Sequence, residues 1–201
     1  MSSNQPTMLL TLHSIRLLGF ADTGAVAQRF GQDSQQVESL LIEAGSKGWA
    51  ARSSFGGSRG WSLTVAGRTE NERLLAGELE AADARAAVTS VHSEFVPLNT
   101  DVVAACSQLQ LDRLSRENQQ NDGMDHRTNQ TFTDAVASFR GLEARLAGAL
   151  PRFSGYTQRL EQAVANAATE TAWLIATDRD SFHRIWFEFH EDLIATLGMQ
   201  R

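Results

Sequence analysis

The sequence predicts a mainly α fold in two parts: three short helices closed by a β-hairpin, then an all-α helical bundle. Three observations predict it. Apolar residues recur at three- and four-residue spacing through most of the chain. One stretch, residues 49–63, reads instead as two strand-like runs around Gly56-Gly57-Ser58-Arg59-Gly60. Only 3 prolines interrupt an alanine-rich chain of 201 residues, which favours long helices.

The elements follow in order. Leu9 to Phe20 is the first expected helix, carried by Leu9, Leu10, Leu12, Ile15, Leu17 and Leu18. Thr23 is placed to cap a short second helix, Gly24 to Phe30, with Val26, Ala27 and Phe30 inward. Gly31 breaks it. Asp33, with Gln36 three residues on, reads as a capping box opening a third helix. Val37, Leu40, Leu41 and Ala44 give that helix one buried face, and Gly45 and Gly48 end it. Trp49 to Phe55 and Trp61 to Leu63 form the hairpin, and Thr64 caps the next helix.

Beyond Thr69 only helical periods are legible. Leu74, Leu75, Leu79, Ala82 and Ala86 make one stripe, and Val102, Val103, Cys106 and Leu109, with Leu114, another. Ser115 to Asn129 is a polar gap with turn chemistry at Asn121-Asp122-Gly123. Phe132, Val136, Phe139, Leu142, Leu146 and Leu150 then repeat until Pro151 stops the helix. Phe153 to Asp178 and Asp180 to Leu197 are two further expected helices. The predicted division is a first domain over residues 1–68 and a bundle of four or five helices over 69–201.

Charge is uneven along the chain. The formal net charge is −6, yet residues 1–75 hold 7 Lys+Arg against 6 Asp+Glu, and residues 76–201 hold 11 against 18. A near-neutral first part allows contact with nucleic acid through local basic groups without arguing for it. No apolar run approaches the ~20 residues of a membrane span. The first residues, Met1 to Thr7, carry no basic region before an apolar stretch, so no signal peptide is expected. The single Cys106 excludes an internal disulfide framework and, on an apolar stripe, reads as packing. Together these place the protein in the cytoplasm.

One set of residues is more specific. Ala27-x-x-x-Gly31, Val37-x-x-Leu40-Leu41, Gly48-Trp49 and Trp61-Ser62-Leu63-Thr64-x-x-Gly67-Arg68 resemble winged helix-turn-helix transcriptional regulators of the MarR and PadR kind. The resemblance covers about a third of the chain and rests most on the strand that runs into Leu-Thr-x-x-Gly. It implies an N-terminal winged helix, double-stranded DNA as partner and a homodimer, with the helical part dimerising or sensing a small-molecule effector. The third helix would present Ser34, Gln35, Gln36 and Ser39 to base edges. Lys47, Arg52, Ser58 and Arg59 would lie towards the phosphates or the minor groove. Glu38 and Glu43 on the same helix depart from strong DNA binders, and some winged helices bind protein instead.

The second part also has a likeness. Phe95-Val96-Pro97-Leu98-Asn99, Leu150-Pro151-Arg152-Phe153, Tyr156, Arg159-Leu160, Asp180-Ser181-Phe182-His183 and Trp186 to Leu193 are similar to helical regions of uncharacterised winged-helix proteins. They are also similar to accessory segments of pyruvate phosphate dikinase-like chains. This likeness implies an alternative, an accessory or protein-interaction module of a phosphotransfer enzyme system.

Candidate chemistry beyond these is sparse. His183 and His190 lie seven residues apart with Glu191 adjacent, so the three share a helical face with Trp186 and Phe187 between. That face is a candidate ligand pocket, with a metal as one occupant and core-edge packing as the competing reading. Asp180 and His183 faintly resemble the metal-binding helical domain of GntR-type regulators. The Gly-rich loop at 56–60 lacks the Lys-Ser/Thr of a phosphate loop, and no nucleophile elbow is present. The expectation is a protein that is not an enzyme and needs no cofactor.

Overall fold

The computed structural model describes residues 7–116 and 126–199. The chain is mainly helical, with one small antiparallel sheet. It divides into two compact units, Met1–Ala81 with Ile194–Arg201, and Ala82–Leu193. The expected boundary at residue 68 falls inside the fourth helix, which belongs to the first unit.

In the first unit, α1 (Met8–Leu18), β1 (Phe20–Ala21), α2 (Thr23–Arg29), α3 (Ser34–Ser46), β2 (Ala50–Phe55), β3 (Ser58–Leu63) and α4 (Val65–Ala81) follow one another. Leu12, Ile15, Val26, Val37, Leu41, Ala44 and Trp61 form its core. Asp33 caps α3 as expected, its carboxylate accepting from the Gln36 N–H at 2.9 Å, which is one half of the expected capping box. The cap of α2 is Asp22, not Thr23: Asp22 accepts from the Ala25 N–H at 2.8 Å. An ionised carboxylate outcompetes a hydroxyl at that position, and the Thr23 hydroxyl donates instead to Glu38 on α3. Phe20 leaves the first helix to form β1 with Ala21. This strand pairs with β3 and makes a three-stranded sheet in the order β1-β3-β2.

The hairpin is tighter than expected. Phe55 pairs with Ser58, so only Gly56-Gly57 form the turn, and Ser58 to Gly60 belong to β3. Both turn residues have positive φ, +55° and +83°, the requirement of a two-residue type I′ turn. After β3, Thr64 ties the hairpin to α4. Its hydroxyl accepts from the Gly67 N–H at 3.0 Å and donates to the Gly48 carbonyl at 2.6 Å. Gly67 is required by space: a Cβ there would lie 1.8 Å from the Trp49 carbonyl oxygen. The Leu-Thr-x-x-Gly signature is therefore a helix cap joined to a close backbone crossing.

The second unit contains α5 (Arg85–Arg116), α6 (His126–Ala149), a 3-10 turn at Pro151–Phe153, α7 (Tyr156–Ala167), α8 (Ala172–Ile175) and most of α9 (Phe182–Leu197). The stripe from Leu74 to Ala86 is not one helix. Leu75 and Leu79 are buried, but α4 stops at Ala81, Asp83 takes φ +48°, and Ala82 and Ala86 are exposed. α5 runs through Pro97 and buries Val102 and Cys106, whereas Val103 is 44% exposed rather than inward. The helix expected over Phe153 to Asp178 is broken after Ala167. There the chain tightens: the Asn166 carbonyl accepts from the Thr169 N–H three residues on and from the Thr169 hydroxyl, a 3-10-type bond and a side-chain bond at the helix end. The first expected residues of α9 give way to a cap at Ser181, whose hydroxyl accepts from the Arg184 N–H at 3.3 Å. Much of the expected polar gap, residues 117–125, lies outside the described residues.

An aromatic cluster centres this unit. Phe189 meets Phe139, Phe95 and Tyr156 edge-on at 4.5–5.1 Å between centroids. Beside it lies a buried ionic network. Arg152 pairs with Asp192, whose other oxygen accepts from the Tyr156 hydroxyl at 3.0 Å. Arg159 grips Glu188 with two bonds of 2.9 Å and reaches Asp180. Glu143 accepts from the backbone N–H groups of Gly155, Tyr156 and Thr157, closing the N-terminus of α7. Among the described residues no helix is long and apolar enough to cross a membrane.

Candidate nucleic-acid interface

α3 is amphipathic in the required sense. Val37, Leu41 and Ala44 turn into the core, and Gln35, Gln36, Ser39 and Glu43 turn outward. Ser34, at the first turn, is also exposed. Gln35 and Gln36 carry amides that donate and accept together, the pairing a purine edge offers. The Ser39 hydroxyl donates to the Gln35 carbonyl at 3.1 Å within its own helix.

Ile42 joins this outward face and was missed by reading periodicity alone. It is 57% exposed, seven residues from Gln35 and three from Ser39. Its signal in the sequence is an isoleucine standing off the Val37/Leu41/Ala44 stripe. A bare apolar side chain among amides and hydroxyls offers contact to a methyl group.

The two acids that argued against nucleic acid are both engaged. Glu38 accepts from the Thr23 hydroxyl, and Glu43 pairs with Lys47 at 2.6 Å. Pairing of the second kind between exposed side chains is worth only ~0–1 kcal/mol, so Lys47 is readily exchanged to another anion. Its ammonium also lies 4.5 Å from the centroid of the Trp49 ring.

The hairpin supplies the remaining cations. Arg52, Ser58 and Arg59 are all exposed. Arg52 stands over the Trp61 ring at 5.5 Å, and that ring packs against Gly45 of α3, so the arginine is carried by a buried anchor. Arg59 lies one residue from the turn, opposite Ser54, and makes no ion pair among the described residues. All eight residues expected at the interface are thus exposed on α3, on the hairpin or just after α3, within one compact unit.

The candidate pocket on α9 is not gathered in the same way. Trp186 is buried in the aromatic cluster, its indole N–H donating to Asn99 at 3.0 Å. Phe187 is 49% exposed on another side. His183, His190 and Glu191 are half-buried. His190 lies against Phe95 and His92, at 5.4 and 6.3 Å, and His183 against Phe187. Seven residues of helix separate the two imidazoles by about 10 Å along the axis, too far for one ion held at ~2 Å. No group of three metal-binding side chains occurs among the described residues. Burial lowers the pKa of His183. Cys106 is buried, and desolvation pushes its thiol up to about 12, an unreactive setting. No protein-family model matches the chain, and comparison with curated proteins and with solved structures finds no match.

Proposed function

We propose that the first unit is a winged helix that binds double-stranded DNA, and that the protein is a dimeric transcriptional regulator. The observation that carries the reading is the outward face of α3: two amides, a hydroxyl and an exposed isoleucine, beside a two-glycine hairpin bearing Arg52 and Arg59. The order α1-β1-α2-α3-β2-β3-α4, with β1 pairing to β3, supports the same reading. In it α3 enters the major groove, Gln35 and Gln36 read base edges, Ile42 meets a thymine methyl, and Lys47, Arg52 and Arg59 meet phosphate. α3 also bears acids, so base contacts carry a larger share of discrimination than in a strongly basic binder.

The test is selection of the full chain against randomised duplexes, followed by titration across salt. A recovered consensus is expected, with log affinity falling linearly in log salt. Arg59→Ala should weaken binding to all duplexes with little change in melting temperature. Gln35→Ala or Gln36→Ala should relax preference at one base position, at a cost of about 1–3 kcal/mol on the cognate site. Absence of any retained duplex at low salt would overturn the reading and leave a protein-interaction module.

A further inference from the structure

The outward face of α3 is selective in what it omits. From Ser34 to Ser46 the helix holds no lysine and no arginine. The first cation is Lys47 at its C-cap, and that ammonium pairs with Glu43 at 2.6 Å and lies over the Trp49 ring. Guanine presents two acceptors, O6 and N7, on its major-groove edge, and a charged or forked donor is what satisfies both. α3 has none. Gln35 and Gln36 are exposed at its first turn, and each amide carries one acceptor beside one donor group. Adenine offers the matching pair, a donor at N6 beside an acceptor at N7. On a guanine edge the amide oxygen would meet no donor.

The same face carries an apolar group. Gln35, Ser39 and Ile42 follow at spacings of four and three, which sets them on one line down the helix. Ile42 is 57% exposed and stands off the Val37, Leu41 and Ala44 stripe that packs into the core. The carbon group that the major groove presents is the thymine C5-methyl. Seven residues of helix rise about 10 Å, roughly three base pairs at ~3.4 Å each. The amides and the isoleucine therefore reach different pairs of one half-site. The acids do not redirect the face to cytosine, whose N4 is a donor. Glu38 accepts from the Thr23 hydroxyl. Glu43 is paired with Lys47, whose ammonium has donors to spare for phosphate while it keeps the carboxylate.

We propose that the half-site read by α3 consists of A·T pairs: an adenine taken by Gln35 or Gln36 and, about three pairs away, a thymine recognised through its methyl by Ile42. The inference rests on the reading of α3 as the helix in the major groove and names the class of sequence that helix accepts. Base identity is read without guanine, and thymine is distinguished from uracil.

The full chain is selected against randomised duplexes, and the recovered site is then made with uracil in place of each thymine in turn. One such replacement should weaken binding about fourfold, the worth of one buried methyl. In Ile42→Ala the same replacement should have no effect, with the circular dichroism spectrum unchanged because Ile42 is on the surface. Gln35→Arg or Gln36→Arg should move the preference at one position from adenine to guanine. A consensus specified by guanine, or a site in which every thymine tolerates uracil, overturns the inference and leaves DNA binding standing. So does a uracil effect that survives Ile42→Ala, or an adenine preference that survives both arginine variants. Failure to retain any duplex at low salt overturns the reading of α3 itself and the inference with it.

Discussion

Gly67→Ala tests whether the Leu-Thr-x-x-Gly turn is a joint or merely a sequence habit. The added methyl would sit 1.8 Å from the Trp49 carbonyl oxygen and 2.7 Å from its carbon. Contacts under 3.0 Å essentially never occur, so α4 or the backbone at Trp49 must retreat by at least 1.2 Å (3.0 minus 1.8). That displacement pulls on the Thr64 hydroxyl, bonded at 2.6 Å to Gly48, and on the Thr64 N–H, bonded at 3.0 Å to Trp49. Overpacking costs about 1–3 kcal/mol and a weakened cap about 1 kcal/mol, against a helix-propensity gain of about 1 kcal/mol. The net is a loss of roughly 1–3 kcal/mol, or a fall in melting temperature of roughly 5 °C in a chain of this size. Gly77→Ala is the control, since nothing lies within 4 Å of the added carbon. It should stabilise by up to about 1 kcal/mol on the same helix. Urea unfolding followed by tryptophan fluorescence measures both. If Gly67→Ala matched Gly77→Ala or exceeded wild type, the close crossing at Gly67 would carry no stability.

Two other perturbations separate structural chemistry from surface chemistry. Asp192→Asn removes the carboxylate that pairs with the buried Arg152 guanidinium and should cost about 3–5 kcal/mol in urea unfolding. Arg152→Met combined with Asp192→Leu removes both charges and should recover most of that loss, and a double variant as damaged as the single one would refute this account. For His183, burial favours the neutral ring, so the unfolded chain takes up the proton first as pH falls. Wild type should lose stability relative to His183→Gln as pH drops below about 6.5 and level off beneath the folded pKa. A stability difference constant from pH 8 to 5 would contradict it.

How much was legible in the sequence depended on whether the signal was local. Asp33 as the cap of α3, accepting from the Gln36 N–H, acts over three residues and landed where expected, whereas the five-residue Gly-rich loop shrank to Gly56-Gly57 because Ser58 to Gly60 pair into β3. β1 was invisible because a two-residue strand has no period of its own and exists only through pairing with β3. Ile42 was passed over, and Val103 was set on the buried stripe, for the opposite reason. Each is an apolar residue beside a true core position, Leu41 and Val102, and neighbours one apart on a helix point about 100° apart. The ionic network of Arg152, Tyr156 and Asp192 could not be read at all. Its partners lie 36 and 40 residues apart, and each looks alone like a surface group.

If α3 and the hairpin bind DNA as proposed, their three cations per copy, Lys47, Arg52 and Arg59, release few counterions. At ~0.9 per phosphate the salt slope is about −3 for one copy and about −5 for two. Such a surface has little non-specific affinity in reserve, so a single copy would rest on four or five base contacts from Gln35, Gln36, Ser39 and Ile42. Doubling the site is the direct remedy, because two half-sites add their free energies while the cost of bringing the copies together is lowered by a standing interface.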